Sequence, residues 1–528
     1  MDRGDALSAL ADAIARSFSA GEPERPAVSP LRALGRRQLS GLEVLAQSVA
    51  TTAPAASMVV LPITMLETGD PLLGLLTIVG ATVVISLIAL CVTQFTRRQA
   101  AAGGLHSFAF QGLGTRAALT TGVAILVKFL GSATLTLHSG GRAVTVVLAQ
   151  LGVDATGTAG RIAVYGGVAA VVLAVLVRGA RVGAVAILAV EMCSLLFIVG
   201  LSVLPSAGTV VLPAEPDGTA HGVLYLALAA IFSLAGFESA TFFGPEAKRP
   251  LVTITRTVLL TPMICGALFV LAAWAAWTGR SATLINTYLY GTDSGAPALL
   301  VIVLEVGICC SWLASATASS HAASRLVYSM GVERLLPRWF TTVHPRFRTP
   351  YPALVVIVVL VTIGSGAFAL ADGALAPAVV ALRHIVRAMV VAAYVLVAVA
   401  SIRFLMRIRE QTPVVLVGGL VASAAGIALL GCLLVATVLD GDLAAPLLIV
   451  ALLSAGLGWQ RYLRRRRPAR LGAIGAFDTA ESADVLPGAG AFAPDAAGNV
   501  VLVRTDPGAG DHGPADHGPA DHGDERRA

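Results

Sequence analysis

The chain has 528 residues, 56% of them hydrophobic and 13% charged, and its mean hydropathy is +0.81. Water-soluble domains carry about 25% charged residues, so a soluble fold is excluded. The net charge of +6 does not point to nucleic acid, because the basic residues fall in short breaks between apolar runs and form no basic face.

A bilayer core about 30 Å thick is crossed by roughly 20 apolar residues rising about 1.5 Å each, and runs of that length recur along the sequence. Lipid cannot hydrogen-bond bare backbone, so these runs must be helices and not open strands. The expected fold class is all-α, a polytopic membrane protein of 12 transmembrane helices. Three regions follow: a cytoplasmic N-terminal segment (1–38), a transmembrane domain (39–463) and a cytoplasmic, disordered C-terminal tail (464–528).

In the N-terminal segment Asp2, Asp5, Asp12, Glu22 and Glu24 interrupt any apolar core, so no cleavable signal peptide is expected and the first membrane helix serves for targeting. Leu7, Leu10, Ile14 and Phe18 lie at helical spacing; the segment is either an amphipathic helix on the membrane surface or a loose tail. Helices are expected near 42–66, 72–95, 117–137, 162–177, 182–204 and 223–243, then 258–277, 298–318, 353–370, 388–404, 414–439 and 447–462. Cys91, Cys193, Cys265, Cys309, Cys310 and Cys432 all fall in apolar runs and read as small hydrophobes, so neither disulfides, a metal cluster nor a cofactor is expected. His512, His517 and His522 in the tail repeat are the alternative, soft-metal reading; plain disorder is preferred.

Short loops rich in Lys and Arg stay in the cytoplasm. Arg36, Arg37, Arg97, Arg98, Arg178, Arg181, Lys248, Arg249, the 334–348 and 403–409 clusters and Arg464 to Arg467 fall on one side. Asp70, Asp154, Asp217, Asp293, Asp372 and Asp440 fall on the other. Both termini are therefore expected in the cytoplasm, with the chain in the inner membrane. Arg142, Arg161, Arg280, Arg383 and Arg387 break the pattern, and the last two put the start of the tenth helix in doubt.

A polar solute held in mid-bilayer is gripped most cheaply by backbone groups freed where a helix breaks. The first helix contains Thr51, Thr52, Ala53, Pro54, Ala55, Ala56 and Ser57, where Pro54 lacks an N–H and clashes with the preceding turn. The sixth contains Ser233, Leu234, Ala235, Gly236, Phe237, Glu238 and Ser239, a weak helical stretch with a carboxylate inside an apolar span. Breaks in helices one and six are the placement that a five-plus-five inverted repeat requires. Free N–H groups there favour a carboxylate and free carbonyls an ammonium group, which suits a zwitterionic amino acid.

Phe232 to Glu238, followed by Gly244 to Pro250, resembles the sixth-helix signature of the amino acid-polyamine-organocation (APC) superfamily. Ala102, Gly103, Gly104, His106, Phe108 and Gly114 resemble its approach to the third helix. Arg325 to Tyr328, with Arg334, Pro337, His344, Pro345 and Pro350, resemble its loop after the eighth. The resemblance covers residues 39–462. It implies the five-plus-five inverted repeat with broken helices 1 and 6, two further helices, and a solute held between the breaks. It also implies alternating access by rocking a bundle of helices one, two, six and seven. Phe232 matches the aromatic lid and Glu238 the acidic residue beyond the sixth-helix break. Where relatives often have Gly-Ser-Gly in the first helix, this chain has Ala55, Ala56 and Ser57.

The substrate-binding residues expected are thus Thr52, Ala53, Ala55, Ala56, Ser57, Phe232, Ser233, Ala235 and Gly236. Lys128, Glu191, Glu238 and Glu305 are ionisable at membrane depth and are the coupling or gating candidates. Lys128 and Glu305 lie on helices three and eight and are expected to pair or to share a proton; a purely structural bridge is the alternative. Sodium would need oxygen donors such as Ser315, Ser319 and Ser320, but Ser in membrane helices usually bonds its own turn, so proton coupling or exchange is preferred. The reading is a secondary active transporter for an amino acid or related amine, with no nucleic-acid partner. The competing readings are a membrane enzyme such as an acyltransferase, with His138 or His384 as base, and a non-transporting sensor. No nucleophile triad, dinucleotide fingerprint or metal-spaced set accompanies either histidine, and the tail is too short and biased for a signalling domain.

Overall fold

A computed structural model describes residues 34, 39–203, 208–213, 220–371, 374, 376–475, 491–494 and 500–503. The N-terminal amphipathic pattern, the tail histidines, Arg36, Arg37, Asp217 and Asp372 lie outside the described residues.

The helices in chain order are α1 (Gly41–Thr51), α2 (Pro54–Leu66), α3 (Pro71–Thr96), α4 (Leu105–Leu113), α5 (Thr115–Gln150), α6 (Thr158–Val177), α7 (Ala180–Val203) and α8 (Ala220–Leu234). A 3-10 segment, Phe237–Glu246, follows α8. Then come α9 (Pro250–Trp277), α10 (Ala282–Tyr290), α11 (Ala298–Val332), α12 (Tyr351–Leu370), α13 (Ala376–Ile408), α14 (Pro413–Leu439) and α15 (Ala444–Arg466). Among the described residues eleven helical stretches are long and apolar enough to span a membrane, α1–α2 and α8 with its 3-10 segment each counting as one. Helix α7 adds a shorter apolar stretch, Ala189–Val203. The chain is a multi-pass helical membrane protein.

Sequence punctuation explains most of the boundaries. Ser40 caps α1 reciprocally with Glu43, Asp70 caps α3 through the Leu73 N–H, and proline opens α2, α3, α9 and α14 where a missing N–H costs nothing. Large apolar side chains such as Leu299, Leu439 and Leu447 point outward at 69–71% exposure, the arrangement of a surface bathed in lipid. The core is lined instead by small residues and by hydroxyls that bond back to their own helices.

Several expectations are corrected. Helices α5 and α11 run 36 and 35 residues, well past the expected 137 and 318, because polar side chains that end an apolar run do not end a helix packed on its neighbours. Helix α13 begins at Ala376, so Arg383 and Arg387 lie inside it and not before it. Helix α15 continues to Arg466, past the helix end expected near 462. Strands Ala491–Pro494 and Val500–Val503 pair antiparallel. The short α4 and α10 were not anticipated, being too brief to give a membrane-length signal.

Contacts between loops sort the charged residues into two ends. At one, the Leu39 N–H donates to Glu246 O at 2.9 Å, Arg98 pairs with Glu410, and Glu333 binds both His106 and the Gly475 N–H. At the other, Arg161 donates to Ala369 O, Asn286 joins Thr209 and Val211, and Tyr225 donates to Asp440. The first is the basic end read from the sequence and the second the acidic one.

Candidate functional site in the broken helices

Helix α1 ends at Thr51 and α2 begins at Pro54, with Ala53 between them in the left-handed region at φ 45° and ψ 59°. A non-glycine residue there costs about 1–2 kcal/mol. Ala53→Gly is expected to raise thermal stability in detergent, by about 1 kcal/mol at most, since the added unfolded-state freedom offsets part of the relief. An unchanged or lower melting temperature would show that the bend is not strained.

The polar groups at this break are already matched by protein. The Ala55 N–H donates to Glu191 Oε1 at 3.1 Å, and the Ala56 N–H to Ser311 Oγ at 3.2 Å. Ser311 Oγ also donates to the same Glu191 oxygen at 2.8 Å. Ser315 donates to Thr51 O at 2.8 Å and Ser57 to Thr52 O at 3.0 Å. The expectation that the first turn of α2 offers open N–H groups to a solute carboxylate is therefore corrected at Ala55 and Ala56. Both are buried away from water, where an unpaired donor is costly, and a carboxylate from α7 occupies the anion-favouring helix start.

In the sixth span α8 stops at Leu234, and Gly236 leads into the tighter 3-10 segment. A Cβ on Gly236 would stand 2.6 Å from Thr52 Cγ2 and 3.1 Å from both Ser48 O and Thr52 N, so only glycine lets the two breaks meet. Gly236→Ala is expected to cost about 1–3 kcal/mol through this clash; a variant as stable as the parent protein would disprove the close approach.

Lys128 of α5 reaches into the sixth-span break. Its Nζ donates to Ala235 O at 3.0 Å and to Glu238 Oε1 at 2.6 Å, and sits 4.1 Å from the Phe129 ring centre. Tyr394 Oη of α13 donates to the other Glu238 oxygen at 2.7 Å. Lys128 and Glu238 are fully buried and Tyr394 nearly so. The expected Lys128–Glu305 pair is thus corrected to Lys128–Glu238. Glu305, on α11, lines another hollow, of about 400 Å³, with Arg142, Tyr288 and Trp312.

A cavity of about 200 Å³ lies where the breaks face α5, α11 and α13. Of the nine residues expected to bind solute, Thr52, Ala53, Ser57, Phe232 and Ser233 line it, while Ala55, Ala56, Ala235 and Gly236 do not. Its wall is completed by Ser132 and Thr136 of α5, Tyr288 of α10, and Trp312 and Ser315 of α11. It shares Ser139, Arg142 and Arg383 with a wider hollow of about 530 Å³ lined by His138, Arg161 and Phe368 at the acidic end.

A buried ion pair lies toward the basic end. Arg325 donates to both Glu246 oxygens, at 2.6 and 3.0 Å, and its guanidinium lies 4.2 Å from the Phe243 ring centre. Both charges are nearly buried. Single-residue reading did not find this bridge, nor Ser311 and Tyr394. The signal for the bridge was present: Glu246 and Arg325 sit in the two most motif-like segments with opposite charges. Ser319 and Ser320, considered as sodium ligands, are buried hydroxyls with no hydrogen-bond partner, and Ser315 is committed to Thr51 O.

Residues 43–457 match the family model described as "Amino acid permease". An uncharacterised transporter of Mycobacterium tuberculosis is 29% identical over 148 residues, 27% of this chain and 33% of that protein. The "Low-affinity putrescine importer PlaP" of Escherichia coli is 28% identical over 155 residues, again 27% of this chain and 33% of its relative. The matched stretch thus spans a third of the length of these curated relatives. Among solved structures, a manganese transporter mutant from Eremococcus coleocola aligns with 87% of this chain and 97% of its own, at a TM-score of 0.48 and 16% identity. Matched by that family model over most of its length, the chain belongs to the amino acid permease family of the APC superfamily.

Proposed function

We propose that the chain is a secondary active transporter that moves an amino acid or related amine across the cytoplasmic membrane by alternating access, with its basic end in the cytoplasm. The observation that carries this reading is the small cavity at the meeting of two broken helices, which shares wall residues with a wider hollow at the acidic end; the buried Arg325–Glu246 pair is read as the closed gate on the basic side. Opening that ion pair and closing the wide hollow would present the same cavity to the other side. The relatives named as transporters support it.

Coupling is assigned to a proton, or to exchange, and not to sodium. Glu191 supports this: one oxygen holds the first turn of α2 and Ser311 of α11, while the other, Oε2, is buried without a partner. Protonating it would weaken, without removing, the charge-assisted bonds that Oε1 accepts from α2 and α11. The proposal is tested with purified protein in liposomes, following labelled amino acids and amines under imposed pH or sodium gradients. Saturable uptake driven by an inward proton gradient, or by solute inside, is expected. Absence of both uptake and counterflow across the panel would defeat the transporter reading.

A further inference from the structure

We infer that the cavity selects solutes carrying a carboxylate, through a cluster of arginines, and turns away amines that lack one. This deepens the transporter reading and rests on it. The starting point is the set of cationic residues that violate the charge alternation. Moving an arginine to the acidic side opposes the retention of positive loops, so each such residue requires a use. Arg161 has one, donating to Ala369 O at 2.9 Å, and Arg280 has another, donating to Val203 O beside the Trp274 ring.

Arg142, Arg383 and Arg387 have none of that kind. Among the described residues no carboxylate lies within ion-pair distance of any of them, and Arg387 Nε is buried with no hydrogen-bond partner. All three line the cavity between the breaks, and no acidic side chain does. The two nearby carboxylates lie outside the cavity wall, Glu238 bonded to Lys128 and Tyr394, and Glu191 through one oxygen to the Ala55 N–H and Ser311. Glu305 and Asp293 line the adjoining hollow, which shares Arg142, Tyr288 and Trp312 with the cavity. Three guanidinium groups stand on the cavity's own wall and carboxylates only in the adjoining hollow, so a dication entering the cavity meets net repulsion.

The helix start that would ordinarily attract an anion is filled by Glu191, so the task of holding a solute carboxylate passes to the guanidinium groups. A planar fork of N–H donors matches a carboxylate in two-point geometry, and an Nε with no partner is the donor such a bond completes. An ammonium group on the same solute would face the rings of Phe232, Tyr288 and Trp312, which also line the cavity.

The test uses the full-length purified protein with L-glutamate, L-alanine and putrescine as probes, read by equilibrium binding and by flux into liposomes. Both carboxylate-bearing probes are expected to bind, and putrescine is expected neither to bind nor to displace labelled glutamate. Arg387→Gln is expected to weaken glutamate binding about tenfold or more, and Arg387→Lys to restore part of it; a monodisperse gel-filtration profile shows that each variant is folded. Binding or displacement by putrescine, or an unchanged glutamate affinity in a folded Arg387→Gln Arg383→Gln variant, would overturn the inference. The two readings fail separately. Putrescine flux without carboxylate flux leaves a transporter and removes carboxylate selection, whereas glutamate binding sensitive to Arg387 without any flux does the reverse.

Discussion

Lys128→Met is expected to leave little folded protein in detergent. The substitution removes the cation that neutralises Glu238 at a site where neither side chain touches solvent, and it strips Ala235 O of its 3.0 Å donor. Breaking one side of a buried pair costs about 3–5 kcal/mol, because the remaining charge is stranded. Glu238→Gln should be damaging for the mirror reason, leaving a buried ammonium group with neutral acceptors and the Phe129 ring but no counter-charge. The double variant Lys128→Met Glu238→Gln should be more stable than either single one, since no charge remains to be solvated. Tyr394→Phe removes one hydrogen bond to a charged oxygen and should cost about 1.5–3 kcal/mol. Fluorescence-detected gel filtration after a heating series orders the four variants. A Lys128→Met protein as heat-resistant as the parent, or a double variant worse than both singles, would show that the pair does not brace the break.

How much of this was legible in the sequence depends on the range of the interaction. Pro54 and Gly236 act within a turn of themselves, and both breaks stand where local chemistry placed them. Apolar run length likewise located the spans. What it missed were polar continuations: α5 and α11 extend through Arg142 and Arg325 because helix–helix packing, not lipid, surrounds those turns. Partnership was legible only in part. Lys128 and Glu305 looked equivalent by their places in the two halves, but a long side chain bonds whatever acceptor lies nearest, and the break at Ala235 puts both a bare carbonyl and Glu238 there. The Ala55 and Ala56 N–H groups were expected to be free because only α2 was considered. Glu191 and Ser311 arrive from α7 and α11, about 136 and 255 residues away in the chain, and nothing local announces them. Arg142, Arg383 and Arg387 were visible from the first as violations of charge alternation; only the fold brings them to one wall.

Glu191→Gln is expected to separate exchange from accumulation. The amide oxygen of glutamine can still accept from the Ala55 N–H and Ser311, so the junction of α2 with α7 and α11 should persist and the protein should fold. What the variant cannot do is take up and release a proton within working pH. A gradient of about one pH unit supplies roughly 1.4 kcal/mol per proton, which sustains about a tenfold solute ratio at one-to-one coupling. Proteoliposomes bearing Glu191→Gln should therefore reach no solute ratio above that of gradient-free vesicles, while solute-for-solute counterflow continues. Glu191→Leu removes the acceptor as well as the charge, leaves the buried Ala55 N–H unsatisfied, and should lose both activities along with about 1–3 kcal/mol of stability. The contrast between the two variants distinguishes a coupling group from a helix brace. If Glu191→Gln still concentrates solute in response to a pH gradient, the proton is carried elsewhere and Glu191 is a brace alone.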